Sequence, residues 1–329
     1  MSSTNRVAVL GAGAFGTALA LAFARAGRDV TLWGRDAGRM ERMARSRLCE
    51  VALPGFLLDP RITPVADLGA VADVPVIVLA MPAQALRAVC EALALVLSPG
   101  HAVIAAAKGM EQGTGQFVTE VMADELGAQR FGVLSGPSFA EDIARGLPTA
   151  VSLAMVEGID AQALAAHLGS TGFRIYHSTD VRGVEIGGAA KNVLAIAAGI
   201  VVGLGLGESA RAAIVTRGFA ELRRFALSLG ARAETLMGLS GLGDLLLTAS
   251  SAQSRNFTLG LALAQGKALE EASGGKLAEG AFTAAALDDM ARARGIDMPI
   301  ASGVRAILDG KLDVKDAVAA LMARPFREE

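Results

Sequence analysis

Along the first half of the chain, short apolar runs alternate with longer stretches rich in Ala and Leu. Val7–Leu10, Val30–Trp33, Val76–Leu79, Ala102–Ala106 and Phe131–Leu134 are each four or five residues long, bounded by Gly, Pro or polar residues. Runs this short, and apolar at successive positions, predict strands buried on both faces of a parallel sheet. The stretches between them predict crossover helices. Val151–Met155 and Phe173–Tyr176 predict further strands that close the sheet. Beyond about residue 180 the strand signals stop. Val184–Leu206 predicts one long buried helix, in which Gly187 and Gly188 permit close packing. Later helices are predicted over roughly Ala210–Leu229, Phe257–Gln265, Ala281–Arg294 and Val314–Met322.

The first predicted strand runs into Gly11, Gly13 and Gly16, spaced G-x-G-x-x-G, and the helical stretch begins there. In this strand–turn–helix setting each glycine has a physical task. Gly11 permits the tight turn, Gly13 lets backbone approach a pyrophosphate, and Gly16 lets helix and strand pack closely. The helix start adds free N–H groups and partial positive charge. The expected ligand is a nicotinamide dinucleotide. The expected fold class is α/β, an N-terminal Rossmann-type doubly wound sheet followed by an all-α domain. We expect residues 1–180 to bind the dinucleotide and residues 181–329 to bind the substrate.

Composition changes this picture little. A chain of 329 residues suits two domains. Basic and acidic residues number 31 and 33, which predicts neither a nucleic-acid surface nor an anionic-membrane surface. Apolar residues make up 52%, and two uncharged stretches, Val7–Ala24 and Val193–Gly207, raise the question of a membrane span. The first also follows Arg6, as a signal peptide would. Glycines interrupt both, and the dinucleotide turn explains the first better, so no membrane span is expected. Cys49 and Cys90 form no framework and no metal spacing, and His101, His167 and His177 are scattered. Packed free thiols, no metal and a reduced cytoplasmic setting are expected.

Gly34 and Arg35 follow the second strand, where NAD-selective sheets place an acid on the ribose 2′-OH. Arg35 suits a 2′-phosphate instead, so NADP(H) is favoured and NAD(H) stays possible; Asp36, next along, is the competing acid. Lys108 follows the strand Ala102–Ala106, at the sheet edge where ligands bind. It could reach a phosphate or the cofactor, or simply lie on the surface. Gly136 and Ser138 leave another strand through a Gly-Pro turn, as a polar cradle or with Ser138 as a helix cap. Lys191 is the only charge between Glu185 and Glu208. A buried ammonium without a partner would release its proton easily, which suits proton exchange near neutral pH. Asn192, beside it, can hold a neighbouring polar group. Asp244 ends a glycine turn, where it could orient Lys191, accept from a substrate hydroxyl or cap the next helix. Ser254, Arg255 and Asn256 precede a helix expected to start near Phe257, a good phosphate seat. Together these residues describe a site for a small phosphorylated carbonyl compound.

The strings GAGAFGTALA, LWGR, AAKGME, LSGPSFAEDIARGLPTA, GGAAKNVLAIAAGIVVGLGLG, TRGFAEL, GLSGLGDLLLT, QSRN, AEG and MPI resemble bacterial NAD(P)-dependent glycerol-3-phosphate dehydrogenase over nearly the whole length. The resemblance implies reduction of dihydroxyacetone phosphate to sn-glycerol 3-phosphate for glycerophospholipid synthesis. It implies Lys191 as catalytic acid/base with Asp244 beside it. It implies substrate contacts from Lys108, Gly136, Ser138, Lys191, Asp244, Ser254, Arg255 and Asn256. It also implies cofactor contacts from Ala14, Phe15, Arg35, Lys108, Ala140, Arg255, Leu277 and Glu279, besides the glycines. Some positions depart from the family pattern. Cys49 and Ala52 replace an Asn and an aromatic residue, Ser209 replaces an Asn, and Phe257 and Thr258 replace a basic pair. The alternatives are a related 3-hydroxy acid dehydrogenase and a non-catalytic dinucleotide sensor. We expect a homodimer.

Overall fold

A computed structural model describes residues 5–274 and 278–324. The chain divides into two compact units, residues 1–108 with 116–185, and residues 109–115 with 186–329.

The first unit is one eight-stranded sheet. Its strands are β1 (Arg6–Leu10), β2 (Asp29–Trp33), β3 (Ile62–Val65), β4 (Val76–Leu79), β5 (Ala102–Ala105), β6 (Arg130–Ser135), β7 (Thr149–Met155) and β8 (Phe173–Ser178). The order is β3-β2-β1-β4-β5-β6-β7-β8. All neighbours are parallel except β6 and β7. The helices are α1 (Ala14–Arg25), α2 (Ala37–Ser46), α3 (Leu86–Ala94), α4 (Val118–Leu126), α5 (Ala140–Arg145) and α6 (Gly158–Leu168). Strand side chains alternate between two cores. Val7, Val9, Val76, Val78 and Ile104 join one with α1, α5 and α6. Ala8, Leu10, Ile77, Leu79 and Val103 join the other with α3 and α4. Both faces are covered, which is why these strands read as continuous apolar runs.

The pattern did not announce β3. Its sequence is ITPV, and Pro64 lacks the amide that a central strand needs. β3 is the edge strand, paired only with β2, so the missing donor costs no ladder bond. Strand order reverses between β1 and β4, so the chain leaving β1 enters a crevice between diverging crossovers.

The second unit is helical among the described residues. It contains most of α7 (Val181–Gly203), then α8 (Glu208–Ser228), α9 (Ala233–Met237), α10 (Asp244–Thr248), α11 (Arg255–Ala264), α12 (Leu269–Ala272), α13 (Glu279–Ala293), α14 (Pro299–Leu308) and α15 (Val314–Met322). Sequence periodicity missed α14 and the three short helices α9, α10 and α12. Helix α7 is long and apolar enough to cross a membrane, but 89% of its apolar window is buried inside the chain. Close approach explains its glycines. A Cβ on Gly199 would lie 2.1 Å from the Phe257 carbonyl, and one on Gly260 would lie 2.1 Å from that of Ile196. Backbones of α7 and α11 therefore touch directly. Glu221, buried on α8, accepts from the amides of Ile300 and Ala301 at the start of α14. The TRGFAEL and MPI strings thus meet as a helix and its carboxylate cap.

Candidate active site

In the first unit the polar groups gather at the C-terminal ends of β1, β5 and β6. Gly11 leaves β1 at φ +115°, with its amide donating to the Trp33 carbonyl at 2.9 Å. A Cβ there would lie 2.7 Å from the Ala80 carbonyl, and one on Gly16 would lie 1.9 Å from that of Gly11. The turn is therefore closed against β4 and against α1. Gly13 differs: it is exposed, and a Cβ on it would meet nothing within 4 Å. No side chain caps α1, so its first-turn amides, from Ala14 and Phe15 onward, keep their donors for a ligand. Open space over Gly13 beside uncapped amides fits a dinucleotide diphosphate.

Lys108 is half-buried just beyond β5. Its Nζ donates to the Gly136 carbonyl at 2.8 Å and to Ser138 Oγ at 3.4 Å, and it lies 5.7 Å from the Phe15 ring centroid. Four expected residues are thus brought together. Ser138 is not a helix cap: its hydroxyl donates to the Gly136 carbonyl, and α5 follows from Ala140 without a side-chain cap. Arg35 is exposed beyond β2, with no hydrogen bond or ion pair among the described residues. Asp36 caps α2 by accepting from the Arg39 amide at 2.9 Å.

The second unit holds a buried cluster. Lys191 Nζ donates to Asp244 Oδ1 at 2.6 Å and to Thr248 Oγ1 at 2.7 Å. Thr248 Oγ1 in turn donates to the Asp244 carbonyl at 2.6 Å. Of the roles open to Asp244, the contact with Lys191 is the one the geometry provides, so Lys191 is buried with a partner. A carboxylate in contact favours the charged ammonium, and this pairing offsets part of the desolvation cost. The arrangement follows from helical spacing. Asp244 and Thr248 are four apart on α10 and share its face. Gly187 and Lys191 are four apart on α7, and a Cβ on Gly187 would sit 2.7 Å from the Ser240 carbonyl. The segment 239–243 between α9 and α10 is a π-helical turn, a local widening often found at functional sites. Asp244 is the first residue of α10 rather than its cap.

The phosphate seat also differs from expectation. Helix α11 begins at Arg255, two residues earlier than the sequence suggested, and Ser254 Oγ caps it by accepting from the Phe257 amide at 3.2 Å. Arg255 is exposed at that helix start, and its side chain makes no hydrogen bond or ion pair among the described residues. Asn256 is buried. Its Nδ2 donates to Asn192 Oδ1 at 3.0 Å, and its Oδ1 accepts from the Gly280 amide at 3.0 Å. It joins α7, α11 and the start of α13, where Glu279 is the first residue. Leu277 lies outside the described residues. Sequence reasoning gave Thr248 no role; its spacing from Asp244 was the available signal.

An uncapped glycine turn at a sheet reversal, in a chain that also buries a paired lysine, is the arrangement of a dinucleotide-dependent oxidoreductase. The description NAD-dependent glycerol-3-phosphate dehydrogenase N-terminus matches residues 6–160, and the corresponding C-terminus description matches residues 180–319. A glycerol-3-phosphate dehydrogenase [NAD(P)+] of Azorhizobium caulinodans is 57% identical over all 329 residues, 100% of both chains. One of Bradyrhizobium diazoefficiens is 56% identical, also over 100% of both. A solved glycerol-3-phosphate dehydrogenase of Coxiella burnetii is 38% identical, with a TM-score of 0.92 over 97% of this chain and 99% of that one. The chain belongs to the NAD-dependent glycerol-3-phosphate dehydrogenase family. It is an NAD(P)-dependent oxidoreductase that interconverts dihydroxyacetone phosphate and glycerol 3-phosphate.

Proposed function

We propose that the chain works as a reductase, making sn-glycerol 3-phosphate for glycerophospholipid synthesis, that it favours NADPH, and that Lys191 supplies the proton. The observation that carries the proton assignment is the buried contact of Lys191 with Asp244 and Thr248. A reduced nicotinamide, when bound, supplies a hydride to C2 of the ketone. The carbonyl oxygen then becomes an alkoxide, and Lys191 Nζ gives it a proton; in reverse the amine takes that proton back. Asp244 keeps the ammonium charged and aimed, and Thr248 fixes its second donor. The positive charge also stabilises the developing alkoxide. Arg255, with the amides of α11, suits the substrate phosphate, since guanidinium and helix start both favour an anion. Lys108, Gly136 and Ser138 are assigned to substrate as well. Ser254 and Asn256 line the substrate while holding α11 in place. The first unit carries the dinucleotide on Gly11, Gly13, Ala14, Phe15, Gly16, Arg35 and Ala140.

NADPH preference rests on Arg35 standing where NAD-selective sheets place an acid, while the Asp36 carboxylate is engaged as a helix cap. We place the enzyme in the cytoplasm as a homodimer, a state light scattering would measure. The decisive experiment is steady-state oxidation of NADPH and NADH with dihydroxyacetone phosphate, for the wild type and Lys191→Ala. Acid catalysis contributes about 10²–10⁴ in rate, so the variant should lose that factor in kcat while still binding NADPH. A Lys191→Ala enzyme with wild-type kcat removes the assignment.

A further inference from the structure

The exit from β2 carries a second arginine that sequence reasoning passed over. Arg39, in the first turn of α2, is half-buried, and its Nη2 donates to the Ala12 carbonyl at 2.6 Å. Ala12 lies between Gly11 and Gly13. This guanidinium is therefore fastened to the dinucleotide turn itself. The fastening is rigid at both ends. Asp36 Oδ1 accepts from the Arg39 amide, which fixes the start of α2. A Cβ on Gly34 would lie 2.4 Å from Met40 Sδ and 3.1 Å from Ala12 Cβ, so the glycine leaves the space that the Met40 side chain of α2 and Ala12 of the turn occupy. Among the described residues, the Arg39 side chain makes no hydrogen bond or ion pair other than that to Ala12. Its Nε and Nη1 donors stay available.

We propose that Arg39 is a specificity-determining residue that reads the 2′-phosphate of NADPH together with Arg35. The inference rests on the NADPH preference proposed above and deepens it. The two arginines divide the work physically. Arg35 is exposed and free, so it loses side-chain entropy when it clamps an anion. Arg39 is already immobilised, so it loses less and supplies a preorganised charge. A phosphate monoester carries about −1.5 to −2 charges near neutral pH, which rewards both. NADH carries only a hydroxyl there, and the nearest acid, Asp36, is turned towards the α2 amide.

The test compares wild type, Arg39→Ala, Arg39→Gln and Arg35→Ala by kcat/KM for NADPH and for NADH with dihydroxyacetone phosphate. Calorimetric binding of 2′,5′-ADP and of 5′-AMP, which differ only by the 2′-phosphate, provides a readout free of turnover. A lost charge-assisted contact lowers the NADPH-to-NADH ratio about 10- to 100-fold. Affinity for 2′,5′-ADP relative to 5′-AMP should fall by the same factor. Arg39→Gln keeps a donor for the Ala12 carbonyl but no charge, so it should lose the ratio as Arg39→Ala does. If both cofactors weaken together and the ratio stays within two-fold, Arg39 only braces the turn and the proposal is overturned. A wild type preferring NADPH, with the preference lost in Arg35→Ala but kept in Arg39→Ala, overturns Arg39 alone. A wild type without preference, unaffected by Arg35→Ala, overturns the NADPH reading and this inference with it.

Discussion

Asp244→Asn removes one charge from a buried pair and almost nothing else. Asparagine keeps the volume and one acceptor oxygen, so the perturbation is electrostatic. Side-chain exposure is 6% for Lys191 and 1% for Asp244. Water cannot replace the lost carboxylate, and the remaining ammonium is stranded. Removing one partner of such a pair costs about 3–5 kcal/mol. At the lower bound this lowers the folded-to-unfolded ratio by about 100-fold. The assay is urea denaturation followed by far-UV circular dichroism. The only tryptophan, Trp33, lies in β2 of the first unit, so its fluorescence would follow the wrong unit. The paired replacement Lys191→Met with Asp244→Leu removes both charges and should recover most of that loss, since apolar replacements of buried pairs are often neutral or stabilising. It should recover no activity. Stability and catalysis thus separate between the single and the paired replacement. If Asp244→Asn loses under about 1 kcal/mol and keeps kcat within ten-fold, Asp244 neither neutralises nor aims Lys191, and the reasoning fails.

Three further outcomes follow from the same geometry. Gly13→Ala should fold normally, since its methyl group meets nothing within 4 Å, yet weaken NADPH binding; Gly16→Ala, whose Cβ would lie 1.9 Å from the Gly11 carbonyl, should destabilise the unit itself. Thermal melts with and without NADPH distinguish the two, and equal destabilisation would count against an open diphosphate seat. Burial pushes the Glu221 carboxyl up to about 7, against hydrogen bonds from Ile300 and Ala301 that lower it. Native Glu221 therefore holds a proton that the unfolded chain releases near 4.5; its contribution to stability is full below that pH and is lost as pH rises to about 7. Glu185, raised to about 7 by the same cause, acts with the same sign, so Glu221→Gln should reduce the slope of stability against pH in this window without abolishing it; an unchanged slope would contradict the shift. Arg255→Ala should raise KM for dihydroxyacetone phosphate about ten-fold or more, as loss of a charged hydrogen bond does, with a smaller effect on kcat; a change in melting temperature alone would make it a structural arginine.

The sheet was legible where burial on both faces left a signature. β4 and β5, and β1 after Arg6, are apolar at every position because helices cover both sides, and their boundaries were readable to within a residue. β3 was not, because an edge strand tolerates Pro64 and has half its surroundings to satisfy. In the second unit, α7, α8, α11, α13 and α15 were found within three residues of their ends. Helix α14 was missed although it is amphipathic. Pro299 opens it, and its first amides are satisfied by Glu221, 79 positions earlier in the chain, so no local cap marks its start.

The candidate site divides along the same line. Gly11, Gly13 and Gly16 could be assigned from spacing alone, because each answers a local demand of one turn. Lys191 stood out as an isolated charge in an apolar helix, and Asp244 as a group that could orient it. The contact itself spans 53 residues, and no periodicity connects the two. Asn256 shows the same limit from the other side. Its place in QSRN suggested a ligand group; no motif announced that its amide also joins Asn192 and Gly280. Arg39 was invisible because its argument is a single hydrogen bond to the turn. In each case the residue type is chosen by a partner that only the fold supplies. A sequence motif here records which segments must meet, and the chemistry of the meeting has to be read from the contacts themselves.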